Sequence, residues 1–129
     1  MKKLLLLIWA FVAVVFAGCS TKPDVPIIQF AQKTVDIGNI NKRQTPVAAR
    51  FSFTNTGGKP LKVINVASDC SCTIASYTKK PVAAGDSGII EVKVNPKVIH
   101  IKGRFERQIV VHSNTEPRLH TLIIKMMVD

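Results

Sequence analysis

An all-β fold, an immunoglobulin-like β-sandwich of seven to eight strands behind an N-terminal signal peptide, is what this 129-residue sequence predicts. Three observations carry the prediction. Apolar residues after about residue 27 recur with period two, not with the helical period of 3.6. Turn-forming residues punctuate those runs at short, regular intervals. And the first eighteen residues have the order of an export signal, which sets them apart from the folded part.

Taken in order, strands are expected at 27–30, 34–40, 47–55, 61–67, 73–78, 88–95, 104–113 and 118–128. In the third, Val47, Ala49, Phe51 and Phe53 alternate with Ala48, Arg50, Ser52 and Thr54. In the sixth, Ile90, Val92 and Val94 alternate with Glu91, Lys93 and Asn95. In the last, Leu122, Ile124, Met126 and Val128 alternate with Thr121, Ile123 and Lys125. Such strands keep one face in a core and one in water, and their valine, isoleucine, phenylalanine and threonine suit a pleated surface. Asn55-Thr56-Gly57-Gly58-Lys59-Pro60 reads as a hairpin or a sandwich corner, residues 81–88 as a loop, and 113–117 as a turn. Asn95-Pro96 ends its strand, because proline cannot donate to a ladder. A small barrel is the alternative architecture. The antibody hallmarks are missing: after the leader there is no tryptophan and no widely spaced cysteine pair. Lys97, Lys102 and Lys125 are expected at strand borders, where lysine discourages edge pairing.

The leader divides the chain into a signal peptide (1–18), a tether (19–26) and the sandwich domain (27–129). Lys2 and Lys3 precede an unbroken apolar run over 4–17, then Ala17, Gly18 and Cys19. The run is short of the ~20 residues that span a bilayer. Phe16-Ala17-Gly18-Cys19 resembles the lipobox of bacterial lipoproteins. That resemblance implies a diacylglycerol on the Cys19 thiol and cleavage that leaves Cys19 as an acylated first residue. It also accounts for an odd count of three cysteines in an exported chain. Several acyl chains anchor stably where one binds marginally, so the membrane is the expected partner through the N-terminus. Residues 20–26 (STKPDVP) are polar and proline-containing, an extended tether reaching roughly 20–25 Å. Ser20 is not the aspartate that marks inner-membrane retention in some bacteria. The expected location is the cell envelope, the outer membrane where there are two.

A series of motifs points to a family. Phe51-Ser52-Phe53-Thr54-Asn55-Thr56-Gly57 is followed by Pro60-Leu61, Cys70-Ser71-Cys72-Thr73, Gly85, Gly103-Arg104-Phe105 and Val111-His112-Ser113-Asn114. This order resembles the bacterial domain-of-unknown-function family 1573 over residues 34–128. The resemblance implies an immunoglobulin-like sandwich on an exported or lipid-anchored protein, with no assigned function. Ser71 stands where glycine is common, and Ala84 where proline often precedes the loop glycine. Serine is less permissive than glycine at positive φ.

Cys70 and Cys72 admit three readings. In a straight strand their Cα atoms lie ~6.5–7 Å apart, at the limit of a disulfide, so a bridge needs a bend between them. A ring that small is strained, and strained disulfides are the labile or catalytic ones. Two thiolates on one face also fit a soft ion such as Cu(I), whereas zinc wants four ligands. The structural reading, a local staple or two small core residues, is preferred. Asp69 beside Cys70 argues against an activated thiolate, since a neighbouring negative charge disfavours a second one. His100, His112 and His120 are read as solvent-exposed strand residues, with 112 and 120 as cross-strand neighbours around the 113–117 turn.

The formal charge is +10, or +8 without Lys2 and Lys3, and it is scattered. The basic clusters show no aromatic interleaving of the kind that stacks bases, and the tryptophan, Trp9, lies in the leader, so no nucleic acid is expected. No hydrolase, metalloprotease or phosphate-loop motif is present. The sequence therefore reads as a lipid-anchored, non-catalytic envelope module with no cofactor, whose protein or polymer partner is unassigned. The alternative is a thiol-redox or Cu(I)-handling protein using Cys70 and Cys72.

Overall fold

The computed structural model describes residues 21–43, 45–69 and 73–129. Eight strands form two sheets packed face to face. They are β1 (Ile28–Phe30), β2 (Thr34–Ile40), β3 (Val47–Asn55), β4 (Val63–Ser68), β5 (Thr73–Tyr77), β6 (Ser87–Val94), β7 (Gly103–Ser113) and β8 (Leu119–Val128). A 3-10 turn, Pro96–Val98, follows β6, and the Asn95 side chain accepts the Lys97 N–H at 3.1 Å to start it. The first sheet runs β1-β3-β6-β5 and the second β2-β8-β7-β4.

The period-two expectation holds in β3, β6, β7 and β8, whereas the registers of β2 and β4 shift. Inward Ala49, Phe51 and Phe53 of β3 meet inward Ile90, Val92 and Val94 of β6, and all are buried. Ile109 and Val111 of β7 and Leu122, Ile124 and Met126 of β8 face them from the second sheet. Fully burying each such side chain stabilises the fold by about 1.5–3 kcal/mol. Gly88 permits a close contact in the core: a Cβ there would lie 2.4 Å from the Phe53 ring.

The connection 56–62 proves to be a corner and not a hairpin, since β3 and β4 belong to different sheets. The chain changes sheet again between Ser68 and Thr73. Lys125 does not border an edge. It sits in β8, between Asp36 of β2 and Glu106 of β7, with its ammonium 3.5 Å from Glu106. Lys97 lies in the 3-10 turn and Lys102 in the loop before β7. Edge strand β2 is protected by a bulge instead: its register shifts between Asp36 and Asn39, and the Asp36 carboxylate accepts the Gly38 N–H at 2.8 Å.

Strand directions gather the connections into two ends. Residues 21–27, 56–62, 78–86 and 114–118 meet at one, called here the Asn55 end. Residues 41–43, 45–46 and 95–102 lie at the other, the Lys102 end, as do the last residues of β4 and the first of β5.

Candidate functional site

Asn55 closes β3 in the inward phase, where a polar side chain must find partners, and it is wholly buried. Its Oδ1 accepts from the Ile27 N–H at 3.3 Å and the Gly57 N–H at 3.0 Å. Its Nδ2 donates to the carbonyls of Lys59 at 2.7 Å and Val82 at 3.0 Å. The amide is thus saturated. The Asn55 main chain is engaged too, donating to Asp86 O at 2.9 Å and accepting from Gly85 N at 2.8 Å. One residue therefore joins the N-terminal segment, its own loop and the β5–β6 loop.

The other motifs of the series sit around it. Leu61 and Val82 exchange two backbone bonds of 2.9 and 2.7 Å, and both are buried. Asn114 accepts the Lys62 N–H at 2.8 Å and donates to Pro60 O at 3.2 Å. Asn-Thr-Gly, Pro-Leu, Gly85 and Ser-Asn are scattered over sixty residues of sequence, yet they are one assembly in space.

Two glycines let the N-terminal segment lie against this assembly. Gly58 N–H is shared between Pro23 O at 2.7 Å and Val25 O at 3.1 Å, and Thr56 N–H donates to Ile27 O at 3.0 Å. A Cβ on Gly57 would fall 1.9 Å from Val25 O, and one on Gly58 2.5 Å from Pro23 O. The segment drawn from sequence as a tether thus has its second half bonded to the sandwich from Pro23 onward.

A second polar cluster holds the β7–β8 turn. Thr115 Oγ1 donates to Pro117 O at 2.8 Å. Its single proton used, the oxygen accepts from Ser113 Oγ at 2.7 Å and from His120 Nε2 at 2.9 Å. His120 is not the exposed strand residue expected. It is half-buried, packs edge-on against Phe30 with centroids 5.8 Å apart, and pairs with Val111 across the strands. His112 is half-buried too and opposes Leu119, so the two histidines point to opposite faces of the sheet and are not cross-strand neighbours; His100 lies in the exposed loop before β7. Burial, aided by Lys33, lowers the His120 pKa against a smaller upward pull from the Pro117 carbonyl.

The Lys102 end is finished differently. Arg107 shares the inner face of β7 with Phe105 and Ile109; its guanidinium carbon lies 4.8 Å above the Phe105 ring. Its Nε is buried and has no hydrogen-bond partner among the described residues. Val98 and Ile101 are about half exposed, at 46% and 58%. Lys42, Arg43 and Lys102 line an open groove with Asp129.

Cys19, Cys70 and Cys72 lie outside the described residues. Their flanks are placed: Ser68 pairs with Ile109 at the end of β4, and Thr73 pairs with Val94 at the start of β5. Among the described residues no three His, Cys, Asp or Glu side chains converge on a metal-sized position, and no helix is long and apolar enough to cross a membrane.

The family model for a protein of unknown function, DUF1573, matches residues 28–128. The chain belongs to this family. No curated protein matches it. Among solved structures, a Porphyromonas gingivalis protein of unknown function superposes with a TM-score of 0.71 at 16% identity, over 88% of this chain and 51% of that one. This DUF1573 chain thus spans about half of that relative. The ASH/PapD-like domain of human CEP192 gives 0.60 at 12% identity, over 88% of this chain and 92% of the domain. The periplasmic chaperone SfaE gives 0.56 at 8%, over 79% and 56%. At these identities the likeness shows the fold, a PapD-like or immunoglobulin-like sandwich, and a fold of this kind hosts many functions.

Proposed function

We propose that this chain is a lipid-anchored cell-envelope protein whose sandwich is a non-catalytic binding or structural module. The observation that carries the reading is how the family motifs are used. Asn55 and Asn114, the polar side chains of the Asn-Thr-Gly and Ser-Asn motifs, spend their hydrogen bonds on the protein's own backbone. They build a platform, and the buried Asn55 amide has no hydrogen-bonding position left for a substrate. The anchor is supported by the apolar run that leads into Cys19, two residues before the described chain begins. The partner is a protein or polymer of the envelope, not nucleic acid, and the outer membrane is the favoured location where two membranes exist.

The test is fractionation of cells expressing the full chain. The native protein is expected in the membrane fraction and Cys19→Ala in the soluble one; retention of Cys19→Ala on the membrane overturns the anchor. A thiol-redox or Cu(I)-handling role for Cys70 and Cys72 is the second reading. It is favoured by Arg107, which lies two residues from the β7 partner of Ser68. A cation near a cysteine favours the reactive thiolate.

A further inference from the structure

The geometry points to a lipid surface as the partner of the Asn55 end: we infer that the sandwich stands on the membrane with this end down. This rests on the anchor at Cys19 proposed above and adds what the structure contributes to it. A free tether over 19–26 would let the domain face any direction. The segment is not free beyond Lys22, because Pro23, Val25 and Ile27 are bonded to Gly58 and Thr56. Only residues 20–22 separate Cys19 from a fixed point on the domain. Extended, that is about 13 Å from Cys19 to Pro23. The acyl chains hold Cys19 at the headgroup level, so the nearest loops lie within a headgroup layer and about a Debye length of the bilayer.

The chemistry of that end fits such a surface. Lys22, Lys62, Lys79, Lys80 and Arg118 are all exposed there, and so are the apolar side chains of Val25 at 52% and Leu119 at 62%. Three carboxylates share the end: Asp24, Asp86 and Glu116. Asp24 is engaged with Lys59 at 3.7 Å, leaving a cationic excess. Exposed cations around apolar side chains, beside the point where an acylated segment leaves, supply the second signal that a polybasic patch gives to a lipid anchor. Val98, Ile101 and the Lys42, Arg43 and Lys102 groove are then held about the length of β7 away from the bilayer, where a soluble partner can reach them.

The experiment uses the full, acylated chain in vesicles of phosphatidylglycerol and phosphatidylcholine, labelled with a membrane-impermeant amine reagent and read peptide by peptide. Lys62, Lys79 and Lys80 are expected to label severalfold more slowly than in detergent, and Lys97 and Lys102 at the same rate in both. A flexible insert of about ten residues between Ser20 and Thr21 is expected to erase the difference while the chain stays on the vesicles. Equal labelling of both ends, or protection of Lys97 and Lys102, overturns the orientation. Protection that survives the insert overturns the role of the bonded segment. A chain that does not sediment with the vesicles, and whose N-terminal peptide carries no acyl mass, shows instead that the anchor itself fails, and the orientation falls with it.

Discussion

The two ends of the sandwich handle buried polarity in opposite ways. At the Asn55 end every side-chain hydrogen-bonding position of Asn55 is filled, and Thr115 uses its one proton and both lone pairs. At the Lys102 end the Arg107 Nε is buried without a partner among the described residues. The first arrangement is what makes loops rigid, because each orphaned group inside a protein costs free energy. The second is what an end looks like when its surface is not committed to the fold. The difference teaches where this family spends its signature: mostly on a platform that fixes three connections and the N-terminal segment.

The sharpest way to break the comparison is Asn55→Ala. It strips partners from Ile27 N–H, Gly57 N–H, Lys59 O and Val82 O together. Leaving a buried group unsatisfied costs about 1–3 kcal/mol, and water can reach some of these once the loops loosen. A loss of about 3–5 kcal/mol in unfolding free energy is expected, a large part of a typical total. Urea denaturation checks it; a loss under about 1 kcal/mol would mean that the amide is not what joins these loops.

The next effect is smaller and depends on pH. His120 is disfavoured as a cation, chiefly by burial and then by Lys33, so its folded pKa lies below the unfolded value near 6.5. Between those two values the unfolded chain binds more protons than the folded one. Stability is therefore full above about pH 6.5, falls as pH drops through the window, and is flat below the folded pKa as far as this group is concerned. His120→Gln should abolish that slope in melts taken between about pH 7.5 and 5.5. Asn55 carries no charge, so its contribution should not vary over the same range; a slope that persists in His120→Gln would place the proton elsewhere.

Much of this was legible in the sequence because of phase. Alternation in 47–55, 88–95 and 118–128 put the right side chains inward, and the strand bounds follow to within about two residues. What alternation does not encode is which strands are neighbours. That is why Lys125 was expected at an edge and lies in a central strand, and why 56–62 read equally as hairpin or corner. The polar clusters did leave a trace. Asn55 continues the inward series 47, 49, 51, 53, and Arg107 and Ser113 interrupt the inward series 105, 109, 111. A polar residue in an apolar phase marks a site that needs partners, but the partners of Asn55 come from three segments, and no local pattern names them. For His120 the neighbour Phe30 lies ninety residues away in sequence.

Arg107→Met sharpens the other side of the comparison, with the smallest effect on stability. The substitution removes a buried donor that lacks a partner among the described residues, a gain, and a cation stacked on Phe105, a loss of about 0.5–2 kcal/mol. The flexible thioether fills similar space. A net change within about 1 kcal/mol is expected, against several for Asn55→Ala. A larger loss would mean that Arg107 holds this end together as Asn55 holds the other. The same variant separates the two readings of the cysteines. After mild reduction, alkylation of Cys70 and Cys72 is followed by mass spectrometry in the native chain and in Arg107→Met. If the pair is a local staple or two packed residues, the guanidinium has no thiolate to favour and the rates should match. If it is a redox or Cu(I)-binding pair, loss of the cation raises the thiol pKa and alkylation slows. A slowed reaction with unchanged stability would move the thiol chemistry ahead of the purely structural role, because packing alone would shift both or neither.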